Sequence, residues 1–230
     1  MRLDKIFLAT SLLALPTISS EVSADDPHWN YEDQDHWGAL EDTNPATPIP
    51  QKYPYATCGI GKTQSPINLE NKAITNHLNR LNFNRWDVFK ADFYNNGHAV
   101  QVQPLKPGDD AGTLSIGRDD YPLIQFHFHT PSEHVIGAKQ FAAELHFVHI
   151  REDGRKAVVG VLIEKGETIN PYLQTIINNM PRKPGHNRNS GIWIDPMKLL
   201  PTTQRNVFHT YAGSLTTPPL QRRSQLVCAG

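Results

Sequence analysis

Runs in which apolar and polar residues alternate recur along most of the chain. The two clearest are Gln125–His129 and Glu144–His149. Such alternation predicts half-buried β-strands, because successive side chains of a strand point to opposite faces of a sheet. Further strand-like pieces are spread along the chain, and they cover residues 64–69, 79–89, 92–103, 113–116, 157–164 and 208–211.

Helical patterns are few. The best is residues 172–179, which a Met-Pro dipeptide ends. Residues 25–62 lack periodicity, and we expect a loop that wraps the core and is held by tryptophans. Because no internal repeat or linker is visible, the sequence predicts one mostly β domain with a few short helices and a large central sheet.

Composition limits the domain organisation and the kind of partner that the protein can have. The chain has 230 residues, enough for one large domain. A net charge of −1 gives no indication of a nucleic-acid partner. The 18 prolines and 15 glycines indicate many turns between short strands.

Residues 1–24 have the pattern of a secretory signal peptide. Arg2 and Lys5 precede an apolar stretch over residues 6–15, and small residues end the segment at Ala24. The apolar stretch is too short to span a membrane. We therefore expect a periplasmic or secreted protein without a membrane span after cleavage, in which a disulfide is permitted.

Three histidines of the two clearest strands are candidate metal ligands. His127 and His129 share one face of the first strand, and His146 lies in the second. If the strands pair, the three imidazoles can converge, and three nitrogen ligands with an open fourth position are typical of catalytic zinc. Gln125 and Glu144 each lie two residues before a histidine on its face, where they can accept its other ring N–H.

Two other interpretations remain open at this point. A His-x-His pair in a strand is often an ordinary surface or core pair. His127, His129 and Glu133 also match the spacing of the first cupin motif, which would favour iron or manganese. The glycine and the second motif that cupins need are not found in place.

A second constellation follows near the end of the chain, at residues 211–219. Two prolines close this loop, and two hydroxyl residues, Thr216 and Thr217, precede them. The loop could be an ordinary polar turn. Beside a zinc site, a threonine hydroxyl can accept from zinc-bound hydroxide if a carboxylate such as Glu133 takes the threonine's own proton.

With these residues assembled, the chain resembles the α-class carbonic anhydrases, in particular the exported bacterial ones. The resemblance spans about residues 29–219 and is carried by six motifs. They are Gln-Ser-Pro-Ile-Asn at 64–68, Asn-Asn-Gly-His-Ala at 95–99, Gln-Phe-His-Phe-His at 125–129, Ser-Glu-His at 132–134, Ala-Glu-Leu-His-Phe-Val-His at 143–149 and Gly-Ser-Leu-Thr-Thr-Pro-Pro at 213–219. It implies a large twisted, mainly antiparallel sheet with zinc at the bottom of a conical cleft.

The resemblance also assigns roles to residues around the metal. His127, His129 and His146 match the zinc ligands, and Gln125 and Glu144 match the partners that hold two of them.

Other matches concern the reaction. Thr216 matches the hydroxyl that orients zinc-bound hydroxide, and Glu133 matches its proton acceptor. His98 matches the proton shuttle, and Tyr31 a hydroxyl that orders water near it. The residues that match the substrate pocket are Thr217, Val148, Val158 and Leu215.

The implied activity is the reversible, zinc-dependent hydration of carbon dioxide to bicarbonate and a proton. The substrate is a small molecule, and no nucleic acid is involved. The alternative is an inactive or binding-only relative, which the sequence after Pro219 suggests.

Residues 220–230 depart from the family. Many bacterial members continue after Pro-Pro with Cys-(Ser/Thr)-Glu-Gly-Val-x-Trp. Codons that encode this tail read Cys-Ser-Glu-Gly-Val-Asn-Trp-Phe-Val-Leu when their first base is dropped. We therefore expect a frameshift after Pro219, so that residues 25–219 are a domain without its C-terminal part. We further expect the missing strand to leave an exposed edge and Cys58 without the family's disulfide partner, because Leu220 stands at that position.

Overall fold

The structure is a computed structural model. It describes residues 27–45, 47, 51–70, 81–106, 111–201 and 208–218, and the backbone of 222–229. The expected signal peptide lies outside the described residues.

Strands are the predominant secondary structure of the described chain. Their bounds are β1 Leu81–Trp86, β2 Phe89–Asn95, β3 Val100–Pro104, β4 Gly112–Ile116, β5 Asp119–His129, β6 Val135–Ile136, β7 Lys139–Gln140, β8 Ala143–Ile150, β9 Lys156–Ile163, β10 Gly185–Asn187, β11 Trp193–Ile194, β12 Phe208–Ser214 and β13 Arg222–Ala229.

Helices are short, as expected. Helix α1 is Ala56–Ile60 and α2 is Pro171–Asn178. The second confirms the predicted helix, and the side chain of Asn170 caps it by accepting from two backbone N–H groups of its first turn. In the described part of the chain, no helix is long and apolar enough to cross a bilayer.

The N-terminal segment is more ordered than the expected loop. A 3₁₀ helix covers Tyr31–Ala39, and it packs against α1 through Trp29, Trp37 and Tyr55, which are buried together. The tryptophans therefore hold the segment as predicted. The helical turns themselves carry no apolar period, which is why the pattern did not reveal them.

One large sheet organises the fold. Its main order is β10-β2-β3-β5-β8-β9-β13-β12, with β1, β4 and β11 added at the side and β6-β7 as a separate hairpin. All of its pairings are antiparallel except that of β13 with β9. This confirms the predicted mostly β fold. The short strands β6, β7, β10 and β11 were not predicted, because two or three residues cannot show an alternation.

The two faces of the sheet differ in chemistry. Phe93, Phe126 and Phe147 are fully buried on one face, where the main hydrophobic core lies. Alternation places His127 and His146 on the other face. Burial of the aromatic face supplies most of the free energy that holds the strands in register, and the polar face is thereby fixed in place.

The tail differs from the expectation. The backbone of residues 222–229 forms β13 between β9 and β12, so the expected loss of a strand after Pro219 is wrong for the backbone. Main-chain hydrogen bonds do not depend on side-chain identity, and the segment contains neither proline nor glycine. Among the described residues Cys58 is a free thiol, and burial raises its pKa to about 11.

We expect Phe147→Ala to lower the free energy of unfolding by about 3–5 kcal/mol, since it leaves a cavity between Trp86 and Phe126. Chemical denaturation would measure the change. Ile177→Ala, at a side chain 52% exposed, is the control and should cost about 0.5 kcal/mol or less. Equal midpoints for the two variants would contradict this assignment of the core.

Candidate metal centre

The pairing of β5 with β8 brings the three predicted histidines together. His127 lies directly opposite His146, and His129 lies two residues further along the same face. Ligand atoms of the three side chains all lie within 4.8 Å of one another. The ring centroids are 4.7–5.5 Å apart. The structure thus confirms that the three imidazoles converge.

Neighbouring side chains leave one nitrogen of each ring available. Gln125 Oε1 lies 2.9 Å from His127 Nδ1, and Glu144 Oε1 lies 2.7 Å from His146 Nε2. Nε2 of His129 is buried and has no hydrogen-bond partner among the described residues. A buried ring nitrogen without a partner is costly, and a metal ion held by the three histidines would satisfy it.

Electrostatics favour the neutral form of two of the three imidazoles. Burial, and then the neighbouring His129 and His146, lower the pKa of His127 well below its usual value. Burial and His146 bring the pKa of His129 to about 3. Burial is the largest single influence on His146 and lowers its pKa, but the hydrogen bond to Glu144 and the charges of Glu144 and Glu133 together raise the pKa above its usual value. Because metal ions bind neutral imidazole, His127 and His129 are ready to ligate at neutral pH.

Glu144 is the centre of a buried network that the sequence did not reveal. Its side chain is 0% exposed. Oε1 lies 2.7 Å from His134 Nδ1, and Oε2 accepts from the backbone N–H groups of Glu133 and His134. Burial is the largest single influence on Glu144 and raises its pKa, but the hydrogen bonds from His134 and His146 and the charges of these two histidines together lower the pKa below its usual value. The carboxylate is therefore ionised.

The network continues away from the metal centre. Nε2 of His134 lies 2.6 Å from the Tyr211 hydroxyl, which lies 2.9 Å from Ser65 Oγ. Ser65 Oγ in turn accepts from the backbone N–H of Ser214. Through these contacts β12 and the 64–68 segment hold Glu144, and Glu144 holds His146. Glu144 was predicted as the partner of His146, but its link to His134 was not, because no local spacing connects those two residues.

The predicted hydroxyl and carboxylate also meet. Thr216 is hydrogen-bonded to Glu133. Oε1 of Glu133 lies 3.3 Å from His129 Nδ1. Burial raises the pKa of Glu133, and His146 and the Thr216 hydrogen bond act against it. Thr217 follows in the same turn and is half-buried.

An apolar patch adjoins the histidines. Val148 and Val158 are paired across β8 and β9 and are buried, with Leu215 packed against them. Val148 lies two residues after His146, on the same face of its strand. Three of the four residues predicted for the substrate pocket are therefore brought together beside the metal centre.

The remaining predicted residues meet at Trp29. The ring of His98 stacks on Trp29 with centroids 3.9 Å apart, and Tyr31 contacts the same indole edge-on. The predicted turn before His98 is present, with Gly97 at φ 93°. Burial, and then the charge of His28, lower the pKa of His98. Burial, and then Glu133, raise the pKa of Tyr31 to about 12.

Comparisons with known proteins agree with this geometry. A sequence profile of the eukaryotic-type carbonic anhydrases matches residues 33–226, which reaches into the tail. A carbonic anhydrase of Neisseria gonorrhoeae is 35% identical over 214 residues, covering 92% of this chain and 77% of its own length.

Two solved structures extend the comparison. The α-carbonic anhydrase of Thermovibrio ammonificans, in complex with the inhibitor sulfanilamide, has a TM-score of 0.74 at 34% identity, with 88% of this chain and 83% of that chain covered. Dioscorin in complex with ascorbate has a TM-score of 0.69 at 31% identity, with 85% and 76% covered. The cupin interpretation is therefore wrong. The chain belongs to the eukaryotic-type, or α-class, carbonic anhydrases, a family of lyases.

Proposed function

We propose that the protein catalyses the zinc-dependent, reversible hydration of carbon dioxide, with zinc held by His127, His129 and His146. The observation that carries the proposal is the convergence of three imidazoles, of which His129 has a buried nitrogen without a partner among the described residues. A set of three histidines without cysteine fits a catalytic zinc site with an open fourth position.

The metal would supply a nucleophile. Bound zinc lowers the pKa of a coordinated water to about 7, a value established on carbonic anhydrase itself. Residues of the chain position the metal ligands. Gln125 and Glu144 fix the tautomers of His127 and His146, because each accepts the N–H that does not face the metal.

The surroundings suit an apolar substrate that becomes an anion. Val148, Val158 and Leu215 offer an apolar wall beside the histidines, where carbon dioxide can be held without hydrogen bonds. The Thr216 hydroxyl donates to Glu133, so its oxygen is left to accept. An acceptor at this place orients the attacking oxygen towards the wall.

Hydration also releases a proton, and a histidine is suited to carry it to buffer. His98 is half-buried beside Trp29 and Tyr31. We assign it the proton transfer and assign Tyr31 the ordering of nearby water. Thr217 completes the polar side of the cleft.

The alternative is binding without catalysis. The observation that favours this alternative is that the related dioscorin structure contains ascorbate. The complete histidine set favours the enzyme.

Two further proposals rest on the sequence alone. The pattern of residues 1–24 supports export to the periplasm or the exterior. The codon argument supports a frameshift after Pro219.

Zinc content and carbon dioxide hydration, measured on one purified sample, test the proposed function. We expect one zinc per chain and hydration activity, both lost in His146→Ala. His36→Ala, at an exposed surface histidine, is the control and should keep both. Undiminished zinc in His146→Ala, or a zinc-loaded wild type without hydration activity, would refute the proposal.

Glu144→Ala should weaken zinc binding roughly 10–100-fold, because His146 and His134 lose a shared acceptor. Zinc dissociation measured with a chelator would show the change. The control is Glu164→Ala, at an exposed carboxylate on the surface. Unchanged dissociation in Glu144→Ala would remove Glu144 from this role.

Thr216→Ala should lower kcat/KM for hydration roughly 10–100-fold, the cost of one hydrogen bond to a charged group. The initial rate at saturating buffer reports this step. Thr216→Ser retains the hydroxyl and should recover most of the rate. If the alanine variant keeps the wild-type kcat/KM, Thr216 does not orient the nucleophile.

His98→Ala should slow turnover about tenfold or more at low buffer, because proton release then lacks its carrier. Added imidazole should restore the rate, since a free base can replace the side chain. The buffer dependence of the hydration rate is the measurement. An equal loss at high imidazole would make His98 a structural residue.

A further inference from the structure

A row of polar side chains crosses the sheet from the metal centre to its far edge. His127 on β5 lies opposite Gln101 on β3, Gln101 lies opposite Tyr94 on β2, and Tyr94 lies opposite His186 on β10. Residues paired in antiparallel strands share a face, so the row lies on the same face as the zinc ligands. His127 and His186 are three strand spacings apart, so their Cα atoms are separated by about 14 Å.

The far end of the row is built around a buried carboxylate. Asp92 is 1% exposed, and its Oδ2 lies 2.7 Å from Nδ1 of His186. Oδ2 also accepts hydrogen bonds from Gln103 Nε2 and Arg188 Nε, each at 3.3 Å. Oδ1 is buried without a partner among the described residues. A buried carboxylate needs hydrogen-bond donors around it, and these three side chains supply them.

His186 is held in a defined orientation. Its ring stacks on Tyr94 with centroids 4.2 Å apart and planes 13° from parallel. An ionised Asp92 can only accept, so this contact selects the tautomer with the proton on Nδ1 and leaves Nε2 as the acceptor, and the side chain is 34% exposed. The arrangement is that of a general base oriented by a carboxylate.

We propose that His186 is a second proton acceptor of the hydration reaction, working beside His98. The inference rests on the proposed function and deepens it. Each carbon dioxide and water converted to bicarbonate releases one proton. Water hydrogen-bonded along Gln101 and Tyr94 passes this proton to Nε2 of His186. Nδ1 keeps its own proton, which it donates in the hydrogen bond to Asp92. A buffer base then removes the proton from Nε2, which returns the ring to its neutral state.

The environment of His98 explains why a second acceptor is useful. Burial and the charge of His28 lower the pKa of His98 below the usual value of a histidine, so His98 by itself holds a proton less readily than an ordinary imidazole. Among the described residues, the charged side chains at this end of the row are Asp92, which contacts His186, and Arg188, which contacts the same carboxylate oxygen. Lys90 lies two residues before Asp92 and is exposed. The neutral partners are Tyr94 beneath the ring and Gln103.

The test compares His98→Ala, His186→Ala and the double variant in low buffer, with His36→Ala as the surface control. We expect His186→Ala alone to have a small effect. In the His98→Ala background it should slow turnover by a further tenfold or so, less than the roughly hundredfold typical of a directly positioned base. His98→Ala/Asp92→Asn should move in the same direction, and imidazole should restore the rate in each case.

A readout independent of activity is the ring nitrogen spectrum of His186 by NMR. The neutral ring should carry its proton on Nδ1. A proton on Nε2 would overturn the inference, as would equal rates for His98→Ala and the double variant, or a loss that imidazole does not restore. A wild-type chain loaded with zinc but without hydration activity would instead refute the proposed function, and the inference with it.

Discussion

The register between β5 and β8 is the constraint on which the site depends. It places His127 opposite His146 and His129 opposite Glu144. A slip of one residue would turn the histidines into the aromatic core and the phenylalanines towards the cleft. The burial of Phe126 and Phe147 on the other face makes such a slip costly. The hydrophobic core thus fixes the metal centre without contacting the metal.

The buried carboxylate of Glu144 is the second element of this design. A lone buried charge would be strongly unfavourable, and Glu144 is stabilised by His134, His146 and two backbone N–H groups. Through Glu144 and His134, the candidate metal ligand His146 is connected by hydrogen bonds to Tyr211 on β12. At the sheet edge, the buried carboxylate of Asp92 is likewise stabilised by side-chain donors, His186 and Arg188. Both carboxylates orient a histidine on the cleft face.

Strand pairing also accounts for the position of the tail. Between β9 and β12 the sheet offers unpaired backbone groups on both sides, and residues 222–229 satisfy them. Backbone complementarity is enough to fill this place. In this register the backbone of Leu226 lies opposite Val158 of the apolar patch.

The sequence by itself determined the mostly β class, the helix predicted over residues 172–179, the turn at Gly97 and the shared strand face of His127 and His129. These features follow from local patterns of two to four residues. Only the tertiary structure decided the rest, including the link from His134 to Tyr211, 77 residues away, and from Asp92 to His186, 94 residues away. Such contacts depend on which strands become neighbours and in which register. That choice is made by the packing of the whole sheet, and no local spacing encodes it.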